Sequence, residues 1–116
     1  MRIIKMPYDE GLAERIRDIF DERSDVVEKK MFGGLCFMVS GHMCCGIVGD
    51  TLMARVGPDA HEECLKQKYV KEMDFTGKPM KGFVYVQPEG IGEDPELSGW
   101  VDKCLGFVLS LPKKKK

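Results

Sequence analysis

Absent from this chain is any apolar run near the roughly 18 residues that a bilayer-spanning helix requires, which excludes an integral helical membrane protein. The opening residues, 1–11, hold one apolar pair between charges and no hydrophobic stretch of the kind a secretory leader carries, so a soluble, cytoplasmic protein is expected. There is no internal repeat, and no low-complexity stretch apart from the last four residues. Charge of one sign is not in excess, since the formal net charge is −1. That balance hides an asymmetry. Four of the 18 basic residues are the consecutive Lys113, Lys114, Lys115 and Lys116, and without them the 19 acidic residues outnumber the basic ones by five. An acidic body repels phosphates at long range, so direct nucleic-acid binding is not expected of it. The lysine tail is read as a solvated, disordered end that adds at most weak, salt-sensitive attraction.

What is present fits one globular domain over residues 1–112, with 113–116 as the tail. Hydrophobic residues make up 43% and charged ones 32%, a composition that excludes a disordered chain. Five cysteines occur, an odd number, and most lie within apolar patterns. That fits reduced, buried thiols acting as small hydrophobes and not a disulfide framework.

The order of elements is readable from periodicity. Leu12, Ile16, Ile19 and Phe20 recur at helical spacing, so a first helix is expected over about 9–22 with Asp9 as its N-cap. Four strands are expected next, over 26–32, 35–39, 43–48 and 52–56, separated by turn signals at Gly33-Gly34, Ser40-Gly41-His42 and Gly49-Asp50. They read as an antiparallel meander. Strands 35–39 and 43–48 are apolar at successive positions, so both faces of the sheet need cover, from helices on both sides or from a second subunit. A short helix is expected from Gly57-Pro58 to about Lys68, then an irregular excursion over 69–82, a strand over 83–86 and a loop over 87–92. The last helix is the clearest element. Asp94 reads as its N-cap and Pro95 suits its first turn. Leu97, Trp100, Val101, Cys104, Leu105, Val108 and Leu109 form its apolar stripe, and Pro112 ends it. The fold class expected is α+β, with a mostly antiparallel sheet of about four to six strands flanked by N-terminal and C-terminal helices.

Candidate chemistry is sparse. Cys44 and Cys45 follow His42, and Cys36 lies on the neighbouring strand, so Cys36, Cys44 and Cys45 are the residues from which a metal site could be drawn. Adjacent residues on a strand point to opposite faces, so one site does not take both Cys44 and Cys45. No metal and no cofactor is expected. His61 and Cys64 stand three apart on a helix, but Cys64 belongs to the apolar stripe and His61 is expected to face solvent, with no acid to orient it. Catalysis is not expected. Thr76-Gly77-Lys78-Pro79 lacks the two spaced glycines and the following helix of a phosphate-binding loop. The functional reading that remains is a surface for an acidic protein partner, formed by Phe32 with Lys30, Arg55, Lys78 and Lys81. A cleft for a small ligand or metal between the sheet and the 74–82 loop is the alternative.

The central segment is distinctive. Glu28-Lys29-Lys30-Met31-Phe32-Gly33-Gly34-Leu35 leads to Phe37-Met38-Val39 and Met43-Cys44-Cys45-Gly46, then to residues 49–58, Gly-Asp-Thr-Leu-Met-Ala-Arg-Val-Gly-Pro. Residues 73–86, Met-Asp-Phe-Thr-Gly-Lys-Pro-Met-Lys-Gly-Phe-Val-Tyr-Val, close the series. This ordered set resembles the N-terminal domain of the TfoX/Sxy family of competence regulators over roughly residues 8 to 111. The resemblance implies a small α+β domain with a mostly antiparallel sheet and helices beside it. It implies no catalytic residues. Founding members of that family act with a cyclic-AMP-responsive transcription factor and carry a second, C-terminal domain, whereas a stand-alone member is expected here. The function implied is a non-enzymatic interaction module, a transcription co-regulator or adaptor, with a protein partner and a homodimer as the assemblies to consider.

Overall fold

A computed structural model describes residues 8–31, 33–74 and 79–112. The chain runs α1 (Glu10–Ile19), β1 (Val26–Met31), β2 (Gly34–Val39), β3 (His42–Val48), β4 (Thr51–Arg55), α2 (His61–Leu65), β5 (Val70–Asp74), β6 (Pro79–Val86), a 3-10 turn at Pro88–Gly90, and α3 (Asp94–Val108). The strands form one antiparallel sheet in the order β1-β2-β3-β4-β6-β5. The fold is α+β.

Local chemistry accounts for the element ends. Asp9 caps α1 by accepting from the Leu12 amide at 3.2 Å, and the Asp9 amide itself donates to Gly49 O at 2.7 Å. The β2–β3 hairpin closes on two residues, Ser40 and Gly41, both at positive φ, which is the primed turn geometry that matches the twist of paired strands. α3 begins one residue earlier in its cap than the sequence implies. Glu93 is the N-cap, and the Glu96 carboxylate accepts from its amide at 3.0 Å.

The excursion expected over 69–82 is largely strand. β5 pairs with β6 as a sheet edge, and β6 starts well before Phe83. Adjacent exposed charges at Lys71 and Glu72, one on each face, break the apolar alternation that marks a strand. α2 is also shorter than expected, since 58–60 form turns before the helix.

All three helices lie on one face of the sheet. Leu12, Ala13 and Ile16 from the first with Phe20 at its C-cap, Cys64 from the second, and Leu97, Trp100, Val101, Cys104 and Val108 from the third share one core with Leu35, Phe37, Val39, Cys45, Ile47, Leu52, Ala54, Val84 and Val86. The opposite face carries no described helix. Its residues form a second cluster: Cys36, Met43, Met53 and Met73 are buried, and Met31, Met38, Val48, Met80, Phe83 and Tyr85 are half-buried around them. Of the two covers expected for the sheet, that of helices on both sides is corrected, since no described helix lies on this face. Among the described residues, flexible methionines lying along the strands supply much of the cover that a second helical layer would give.

Candidate functional site

The helix-free face is read strand by strand from the register. Val27 stands opposite Met38, Lys29 opposite Cys36, Met53 opposite Tyr85, Lys71 opposite Tyr85 on its other side, and Arg55 opposite Phe83. The middle of this face is methionine and aromatic. Its edges are cationic, with exposed Lys29 on β1 and exposed Lys71 on β5. Val27 is 54% exposed, the most open large apolar side chain of the described residues. Among the strand residues whose side chains are described, Glu28 and Glu72 are the carboxylates, and neither lies on this face. Glu28 points the other way and pairs with Arg17 of α1 at 2.7 Å, which pulls the Glu28 carboxyl below its usual range. Glu72 likewise turns to the helical side and meets His61 at 3.5 Å.

The opposite, helical surface is acidic. Glu10, Glu14 and Asp18 on α1, and Glu93, Asp94, Glu96 and Asp102 on or beside α3, are all exposed. Acidic residues thus outnumber basic ones on the helical side, while the exposed charges Lys29 and Lys71 mark the other.

Of the described residues proposed from sequence as a partner surface, Lys30 is set apart from Arg55 and Lys81. Phe32 and Lys78 lie outside the described residues. Lys30 is exposed on β1 and, facing Leu35, belongs to the helical side. Lys81 is exposed on β6, four strands away, which is about 19 Å at the usual strand spacing. Arg55 is not a free surface charge. Its guanidinium lies 5.4 Å from the ring centroids of both Phe83 and Phe107 and reaches Met43 O at 3.4 Å. It links the Met face to α3 at the open end of the sheet. Lys29, Lys71 and Val27 were missed, and alternation along β1 would have found two of them.

The cysteines are arranged differently from the sequence expectation. All five are free and buried. The β2–β3 ladder shifts register between Phe37 and Met38, so Cys44 and Cys45 together oppose a single step of β2. This bulge sends Met43 to the Met face and puts both Cys44 and Cys45 into the helical core. The expectation that they point apart fails for that reason. Cys36 is the one on the other face, so the three weak metal candidates are not brought together. Cys44 instead meets Cys104 of α3. Hydrogen bonds from the Cys104 and Cys45 thiols pull Cys44 below the ordinary thiol range against its burial, and the Arg23 and Arg55 cations act in the same sense. Cys45 and Cys104 are pushed up in return. Burial alone raises Cys36 to about 11. Among the described residues, no group of three or more His, Cys, Asp or Glu side chains is arranged to hold a metal ion.

His61 is a second correction. It is 2% exposed and does not face solvent. Its Nδ1 accepts from the Gly82 amide at 2.9 Å, which assigns the ring proton to Nε2, on the side of Glu72. Gly82 O accepts from both Val56 and Gly57 amides. The histidine therefore holds the kink where β6 bends away from its partners, and it is a structural group. The cleft expected between the sheet and the 74–82 loop rests on a loop of which 75–78 lie outside the described residues. A groove of about 500 Å³ lies elsewhere, between the turn after α2 and the first half of α3.

Comparison with protein families gives a match to the TfoX N-terminal domain over residues 18–108 of the 116. The chain belongs to the TfoX N-terminal domain family. The match begins inside α1 and ends at the last residue of α3, so it takes in every strand of the sheet. A search of curated proteins finds no match. A search of solved structures finds none. The domain is one associated with competence regulation, and no described helix of this member is long and apolar enough to cross a membrane.

Proposed function

We propose that this TfoX N-terminal domain is a non-enzymatic interaction module of transcription regulation, a co-regulator or adaptor, whose helix-free sheet face binds a protein segment that is apolar with acidic side chains. The observation carrying this reading is the charge segregation. Lys29 and Lys71 frame a Met and aromatic surface from which the described strand carboxylates, Glu28 and Glu72, turn away, while the acidic residues of both long helices lie on the other side. Methionine surfaces adapt to varied apolar partners, and cations at the rim steer acidic ones. A second copy of this chain is the poorer occupant, because pairing the face with itself sets its lysines against each other.

A zero-length carboxyl-to-amine cross-linker applied in native extract, followed by mass spectrometry, tests this directly. The expected products join Lys29 or Lys71 to an aspartate or glutamate of another protein. The Lys29→Glu, Lys71→Glu double variant loses them, and a nuclease leaves them unchanged. Products confined to the helical face, or capture that disappears with nuclease, would overturn the reading, the latter in favour of a nucleic acid.

A further inference from the structure

The groove beside α3 belongs to neither face of the sheet. One wall is the turn after α2, with Lys68 and Tyr69; the other is a stripe of α3 that includes Gly99, Trp100 and Lys103; Gly90 of the 3-10 turn forms the floor. About 500 Å³ is within the range of small-molecule sites. We infer that this groove binds a small planar anion, an aromatic or heteroaromatic ring bearing a phosphate or carboxylate.

Three independent observations support it. The first is backbone strain. Tyr69 has φ +66, a left-handed conformation that a bulky residue rarely adopts, and such strain concentrates at functional sites. The strain is held in place: Tyr69 O accepts from the Gln87 amide at 2.8 Å, and a Cβ on Gly90 would stand 3.3 Å from the Tyr69 Cβ and 3.0 Å from Val86 Cγ1. The Tyr69 side chain stands 42% exposed at the groove wall.

The second is the pairing of rings with cations. Trp100 borders the same groove with the 8% of its surface that the core leaves open, and Lys103 Nζ lies 6.0 Å from its ring centroid. Lys68 adds a second ammonium from the facing wall. Glu96 is the one lining carboxylate, and it is already engaged by the Glu93 amide. A tyrosine ring with ammonium groups beside it, in a lining of mixed polarity, suits a ring that carries negative charge. Acidic residues predominate on the helices around the groove, so its two lysines are a local excess of positive charge.

The third is empty space on a helix. A Cβ built on Gly99 meets nothing within 4 Å. Glycine weakens a helix interior, and nothing in the packing requires it here. Its absent side chain leaves the groove open beside Trp100.

The inference is independent of the sheet-face reading, and its test does not involve a protein partner. Trp100 is the only tryptophan, so its indole N–H gives a single assignable resonance in nitrogen-15 NMR. The protein is titrated with adenosine monophosphate, guanosine monophosphate and 4-hydroxybenzoate, with inorganic phosphate and benzamidine as controls. At least one ring-bearing anion is expected to shift that resonance saturably, about tenfold or more tighter than either control. Nucleotides binding alone identify a phosphate-bearing ligand; the benzoate binding alone identifies a carboxylate. Gly99→Phe, which fills the groove from a site with room for it, is expected to abolish the shift while resonances on the sheet stay in place. Lys68→Met with Lys103→Met removes charge at two exposed positions and is expected to weaken binding about tenfold. No saturable shift with any ring-bearing anion overturns the inference. So does benzamidine binding as tightly, or an affinity unchanged in the double lysine variant.

Discussion

His61 is buried because its ring supplies an acceptor that the fold needs. The Gly82 amide has turned away from the ladder at the β6 kink, and Nδ1 receives it. His61→Leu leaves that amide unsatisfied and is expected to cost about 1–3 kcal/mol. His61→Gln, which keeps an acceptor, is expected to cost less; thermal unfolding of the pair separates the two. Asp25 offers a pH test. Hydrogen bonds from Arg23 at 2.9 and 3.0 Å, and from Ser40 at 2.7 Å, hold its carboxyl down to about 2 from an ordinary 3.8. The folded state thus favours the ionised form. Its contribution is present above about pH 4 and is lost as the pH falls through 2. Both side chains are about a third exposed, so the gain is under about 1 kcal/mol. Asp25→Asn should lower stability slightly at pH 7, with the difference from the parent closing between pH 4 and 2.

At the scale of elements, the bulge in β3 decides which thiols meet. Two adjacent cysteines share the helical core because the ladder there slips by one residue, and α3 then brings Cys104 onto them. All five thiols are shielded, with Cys64 at 1% and the other four at 0% exposure. An aromatic disulfide reagent is therefore expected to label none of them quickly in the native protein and all five in denaturant, at a rate set by unfolding. Fast labelling of one thiol in the native state would contradict this packing. The β2–β3 pairing makes its own demand at Gly34, where a Cβ would fall 1.9 Å from Ile47 O. Gly34→Ala cannot be accommodated without separating the strands. It is expected to destabilise by several kcal/mol, beyond the roughly 1 kcal/mol of an ordinary glycine replacement, and denaturant titration measures it.

At the scale of the molecule, three helices cover one side of the sheet in turn: α1 beside β1 and β2, α3 across β3 and β4, and α2 against β6 and β5. That one-sided arrangement is what divides the charge. Binding to an acidic partner through the methionine face should weaken between 0.05 and 0.5 M salt, since exposed lysines are screened over a few ångströms at high ionic strength. Removal of residues 113–116 should leave it nearly unchanged, because the proposed surface does not include them. Calorimetry with the captured partner at several salt concentrations checks both.

Periodicity and turn chemistry alone determined the α+β class, the first four strands, and the two long helices with their buried stripes. These follow from neighbours a few residues apart, such as Asp9 with Leu12, or Leu97 with Trp100, Val101 and Cys104. The family was also readable, from an ordered set of motifs along the whole sheet. Tertiary structure decided the rest. β5 exists because β6 offers it a partner, and its adjacent charges Lys71 and Glu72 break the pattern that would announce a strand. Cys44 and Cys45 share a face because a bulge overrides alternation, and His61 turns inward to meet an amide 21 residues along the chain. Lys29 and Lys71, 42 residues apart in sequence, border one surface because five strand-to-strand pairings set them there. Such relations are made by hydrogen bonds between distant segments, and no local pattern of residues contains them.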